Sequence, residues 1–166
     1  MAHPVRTFSC AIIVAVCAVL VVPVDGQEKP AVKLSAEEQK VLELTNAARK
    51  EKKLPPLKLS AQLTEAARKH SMNMAKQRKL EHKLDGQSVE DRVKETGYQE
   101  LGVGENIYLG LRKGAGADDA FASWRKSPGH WGNILAQEFT EIGIGMARNG
   151  HGETYFTQVF AVPVPQ

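Results

Sequence analysis

The stretch WRKSPGHWGNIL, Trp124 to Leu135, holds both tryptophans of the 166-residue chain and sets an imidazole, His130, directly behind a Ser127-Pro128-Gly129 break. Upstream, Asp118 and Asp119 suit the positive end of a helix dipole, and Phe121 and Trp124 give that helix an apolar face. Proline cannot continue the helix, so it ends at Ser127-Pro128-Gly129. His130 then opens a further short helical turn with Ile134 and Leu135. A turn of this kind aims the next side chain. Trp124 is expected to anchor its helix in the core while His130 points into a cleft, so the rest of the chain is read for groups that share that cleft.

Composition narrows the function classes. The chain is 42% hydrophobic and 25% charged, with a net charge of only +3. Its lysines and arginines are interleaved with acids, which argues against a nucleic-acid binder. The basic residues around 49–53 and 76–83 read as solvated helix ends. Arg6 followed by the apolar run Phe8 to Val24 has the layout of a secretory signal, cut roughly after Gly26. An uncleaved anchor is the alternative, and Val16 before Cys17 makes a poor lipidation box. Both cysteines, Cys10 and Cys17, fall in this leader. A mature chain without disulfides must then rest on a packed core, for which roughly 140 residues suffice. Residues 27–34 read as a linker and 35–163 as one domain. The expected product is secreted, extracellular or periplasmic, monomeric, and without a membrane span after cleavage.

Within the domain, Ser35 and Glu38 form a capping box, and Val41, Leu44, Thr45 and Ala48 continue an amphipathic helix to about Lys52. Pro55-Pro56 stops it, and Leu57 and Leu59 bracket Lys58 in an extended connection. Ser60 caps a second helix, with Leu63, Ala67, His70 and Met74 on one face. His70 is expected to be a core histidine satisfied by a partner. His82 falls beyond the helix in a turn-rich segment. Ser88 and Asp91 cap a short helix ended by Gly97. Gly102 to Gly110 (GVGENIYLG) reads as a turn into a strand, with Glu105 at the turn. Ile142, Ile144 and Met146 alternate with glycines, Asn149 to Gly152 signals a hairpin with His151 exposed at its tip, and Tyr155 to Ala161 alternate again. Helices followed by antiparallel strands give an α+β layered domain.

Several motifs then line up in order: Leu42 to Ser60, EAARKHSMNMA (Glu65 to Ala75), EHKLDG (Glu81 to Gly86), GENI (Gly104 to Ile107), WRKSPGHWGNIL, EIGIG (Glu141 to Gly145) and YFTQVF (Tyr155 to Phe160). Together they resemble the CAP superfamily of cysteine-rich secretory, antigen 5 and pathogenesis-related 1 proteins, in its cysteine-free secreted bacterial form. The resemblance implies a three-layer α-β-α sandwich around a central antiparallel sheet. It also implies a shallow cavity lined by two histidines and acids: His82, Glu105 and His130. Many relatives carry a second glutamate where this chain has Ser127.

Two imidazoles beside a carboxylate suit a divalent metal such as Zn²⁺, with open positions for water. His82 and His130 are the expected ligands. Glu105 either joins them or orients one imidazole through its other nitrogen, and the second role is the one expected. Asn106 and Ser127 are expected as hydrogen-bonding neighbours. A hydrolase reading uses the same residues, as a Ser127/His130/Glu105 relay or a metal-activated water with Glu105 as base. No Gly-x-Ser-x-Gly elbow supports it. A third reading is a binder of an extracellular lipid or sterol, peptide or cell-wall fragment. Non-enzymatic binding is the preferred expectation.

Overall fold

The computed structural model describes Met1 and residues 32–165. The expected leader beyond Met1, and most of the linker, lie outside the described residues. The elements run α1 (Ala36–Glu51), β1 (Lys58–Leu59), α2 (Ala61–Gln77), α3 (Val89–Glu95), β2 (Glu100–Gly110), α4 (Ala117–Lys126), α5 (Pro128–Leu135), β3 (Glu141–Arg148) and β4 (Thr154–Pro163). Both expected capping boxes form, Ser35 with Glu38 and Ser88 with Asp91, each closing the free amides of a first turn. Ser60 caps α2, and Arg78 ends it in the left-handed region.

The sheet order is β1-β3-β4-β2. The β3–β4 and β4–β2 pairs are antiparallel, and the two-residue β1 adds a short parallel edge to β3. Alternation along the strands sends side chains to two faces. On one face Ile142, Ile144, Phe156 and Phe160 pack against α1, α4 and α5. On the other, Val159, Ala161, Ile107 and Tyr155 pack against α2, α3 and the Leu84 turn. The expected α-β-α sandwich is the observed fold.

Three details differ from the sequence reading. Pro128 does not form a turn: it occupies the first position of α5, where its missing N–H costs nothing, so only Ser127 separates α4 from α5. Glu105 is not in a turn either. β2 begins at Glu100 and Gly104 lies inside it, where the Phe139 ring leaves no room for a side chain: a Cβ would meet it at 2.9 Å. Finally, Arg49 is not a solvated helix end. It is 1% exposed, and its guanidinium donates to the carbonyls of Pro55, Ile134, Ala136 and Phe139.

Candidate functional site

The site sits where the two helical layers meet around β2, the edge strand. Consecutive strand residues point to opposite faces, and the Glu105-Asn106 pair uses both. Glu105 pairs in register with Val159, on the α2 and α3 side, and Asn106 with Gln158, on the α5 side. Each residue fixes one of the two histidines.

Glu105 is 7% exposed. Its Oε1 is 2.8 Å from Nδ1 of His82, and its Oε2 accepts a short hydrogen bond from the Arg92 guanidinium. Arg92, on α3, also donates to the carbonyls of His82 and Gln87, at 3.0 Å each, so it holds both the carboxylate and the loop that carries the histidine. The far side of that loop turns through Asp85 and Gly86, both at positive φ, as Asp-Gly hairpin turns require. Asp85 Oδ2 accepts from Asn73 and Gln77, which ties the turn to α2.

Asn106 acts on the other layer. Its Nδ2 donates to the backbone carbonyl of His130 and to Gln158 Oε1, at 3.0 Å each. Its Oδ1 accepts from Asn133, which also donates to the Glu105 carbonyl. Gln158 in turn donates to Thr45 on α1. This buried, mutually bonded chain of side chains positions the start of α5 against β2. Trp124 is fully buried and donates its indole N–H to the Ile107 carbonyl at 2.9 Å, so it is the scaffold residue expected.

His130 Nδ1 is buried without a hydrogen-bond partner among the described residues. Burial, and secondarily the nearby His82, pull the His130 pKa below its ordinary value, so the ring favours its neutral form. His82 keeps 57% of its side chain exposed while gripped at Nδ1. Ser127 Oγ makes no hydrogen bond to His130, and Glu105 orients His82 instead. The three members of the relay are therefore not joined as a relay. Both carboxylate oxygens of Glu105 are engaged, Oε1 by His82 and Oε2 by Arg92. No group of three or more His, Cys, Asp or Glu side chains suited to a metal occurs among the described residues.

Arg92 is missed by the sequence reading, and His70 is placed there in the core, with a site role as the alternative. Arg92 sits with Val89, Val93 and Thr96 at helical spacing, so its place on a buried stripe is the available signal. His70 is buried as expected, but it is not satisfied. Neither ring nitrogen has a hydrogen-bond partner among the described residues, and Nε2 lies 3.9 Å from Glu105 Oε1. The Glu81 backbone is close but outside bonding geometry. Burial lowers the His70 pKa more than Glu105 raises it, and Arg92 adds to the lowering.

His70 gives the fold a pH dependence. A histidine held neutral when folded takes up a proton on unfolding once the pH drops below about 6.5, its ordinary value. The unfolded chain then binds more protons than the folded one, so stability is full above that pH and falls as the solution is acidified. Urea denaturation between roughly pH 7.5 and 5 should show this loss. A His70→Gln variant should show a shallower slope, and an unchanged slope would refute the assignment.

The α-β-α sandwich holds His82 with its carboxylate partner on one layer and His130 on the other. Residues 42–160 match the CAP family, the cysteine-rich secretory protein family, and the chain belongs to it. It is 35% identical over 128 residues to the uncharacterized protein YkwD of Bacillus subtilis (strain 168), covering 76% of this chain and 48% of YkwD. The chain thus spans about half the length of that relative. Among solved structures, an outer surface protein from Borrelia burgdorferi superposes with a TM-score of 0.72 at 16% identity, covering 80% of this chain and 97% of that one. An extracellular protein containing an SCP domain from Bacillus anthracis gives 0.68 at 25% identity, covering 79% and 45%.

Proposed function

We propose that this CAP domain is an exported binding module in which His82 and His130 hold a divalent cation such as Zn²⁺. One observation carries the reading: Glu105 engages Nδ1 of His82, which leaves Nε2 of a largely exposed ring as its ligand atom. A carboxylate on the distal nitrogen is the usual way a protein fixes a metal-binding imidazole and raises its basicity. The lowered pKa of His130 favours the neutral ring that a metal requires. With only two imidazole donors, affinity is modest and the remaining positions are open to water or an external ligand. A bound ion would supply a charged anchor for an oxygen-bearing extracellular ligand, whether lipid, peptide or cell-wall fragment.

The unlinked Ser127 and His130 favour binding over serine hydrolysis. Export is supported by the leader-like segment and by the extracellular protein from Bacillus anthracis. No helix among the described residues is long and apolar enough to cross a membrane.

Calorimetric titration of the purified protein with Zn²⁺ tests the reading. The wild type should take up the ion near neutral pH, and the His82→Ala/His130→Ala double variant should not. Glu105→Gln should weaken uptake by about tenfold or more, the usual effect of removing an orienting carboxylate. Equal uptake by the double variant would sink the two-histidine site.

A further inference from the structure

A cavity of about 360 Å³ shares no lining residue with the histidine site. Tyr98, Gln99 and Glu141 line it, beside Gln62 on α2 and the tail prolines Pro163 and Pro165. The Val164 amide donates to the Gln99 carbonyl, which ties this tail to the segment carrying Tyr98. Gly97, at φ +74°, turns the chain out of α3 just before Tyr98.

The chemistry of this lining is one-sided. It holds a carboxylate and no lysine, arginine or histidine. Tyr98 donates its hydroxyl to Glu141 Oε2 at 2.8 Å. Glu141 makes no ion pair with any described cation, although Lys58 is its register neighbour on β1. Burial first, then the hydrogen bond to Glu141 and the charges of Glu141 and Glu100, push the Tyr98 pKa up. The phenol therefore stays protonated and directs its proton at Glu141, which leaves its oxygen lone pairs as acceptors. The Gln99 side chain makes no hydrogen bond among the described residues.

A partly buried carboxylate without a cation is an unfavourable arrangement that a cationic ligand relieves. An anion is disfavoured by the same charge. A sugar would need a free aromatic face, and the Tyr98 ring is packed against the cluster of Leu63, Val93 and Val159. The pyrrolidine rings of Pro163 and Pro165 suit methylene groups.

We propose that this cavity binds a primary alkylammonium group such as a lysine side chain. Its N–H groups donate to Glu141, the Tyr98 hydroxyl oxygen and the Gln99 amide carbonyl, and its methylenes lie along the prolines. The proposal is independent of the metal site: it survives failure of the zinc titration and can fail alone.

Two-dimensional amide NMR of the purified protein tests it with three probes: Nα-acetyl-lysine methylamide, its Nε-acetylated form, and butylamine. Saturable shifts confined to the amides of residues 97–99, 141 and 164 are expected with the lysine derivative and should vanish on Nε-acetylation. Shifts with butylamine as well would mean the ammonium group suffices, so that free amines are ligands; shifts with the lysine derivative alone would point to lysine in a peptide. Glu141→Gln should weaken binding by about tenfold or more, the scale of one lost charge pairing, and Tyr98→Phe by less. Their thermal midpoints, measured alongside, report whether each variant is folded. Absence of shifts with all amines, equal binding of the acetylated probe, or unchanged affinity in a folded Glu141→Gln protein would each overturn the proposal.

Discussion

Gly143→Ala is expected to cost about 4 kcal/mol or more, enough to remove much of a typical domain's stability. A Cβ on Gly143 would stand 2.0 Å from the Leu63 carbonyl carbon and 2.2 Å from the Thr64 amide nitrogen. These are backbone atoms inside α2, and no rotamer change relieves the clash. The helix must lift off the sheet, and it is held there by more than apolar contact. A Cβ on Gly145 would likewise stand 2.3 Å from backbone atoms of Ala67 and Arg68, and Ser71 donates to the Gly145 carbonyl at 3.1 Å. Ordinary overpacking costs about 1–3 kcal/mol because side chains give way; here a whole helix must move. That helix carries His70 and leads into the His82 loop, so the uptake of Zn²⁺ proposed above should fall together with stability. Gly102→Ala is the internal control, since a Cβ there meets nothing within 4 Å. Urea denaturation of both variants checks the prediction. A change below about 1 kcal/mol in Gly143→Ala, the range of an uncrowded site, would refute it.

Arg49→Met is expected to cost roughly 3–5 kcal/mol, by removing a buried charge that satisfies several groups at once. The guanidinium has no carboxylate among its hydrogen-bond partners. It is held by four carbonyls, Pro55 at 2.8 Å, Ile134 at 3.0 Å, Ala136 at 2.8 Å and Phe139 at 3.2 Å. Ile134 and Ala136 lie at the C-terminal end of α5, where carbonyls lack helical partners and the dipole favours a cation. Without Arg49 they are stranded in the interior. Arg49→Lys should rescue only part of the loss, because a compact ammonium cannot span the planar fork of contacts. Thermal or urea denaturation distinguishes the three proteins. A lysine variant as stable as wild type would show that charge alone, not fork geometry, holds α5.

The local part of this architecture is legible because it depends on neighbours in sequence. Ser35 with Glu38 and Ser88 with Asp91 mark helix starts by a three-residue spacing that the backbone itself imposes. Alternation in Ile142 to Met146 and Tyr155 to Ala161 marks strands for the same reason. Pro128 is ambiguous because a proline that ends one helix equally well begins another, and tertiary packing makes the choice. Arg49 and Arg92 escape a sequence reading because charged residues are ordinarily solvated. Each nevertheless lies on its helix's apolar stripe, Arg49 beside Val41, Thr45 and Ala48, and Arg92 beside Val89 and Val93.

By itself the sequence determined most of the helices and strands and the α+β class, carried the family resemblance, and singled out His82, Glu105, Asn106, Ser127 and His130 as candidates. Tertiary structure alone decided how that set is wired. Glu105 belongs to His82 and Arg92, Asn106 belongs to α5, and Ser127 stands outside. The physical reason is the alternation of an edge strand. Residues 105 and 106 are adjacent in the chain but project into opposite layers, and only the packing of those layers determines what each one meets.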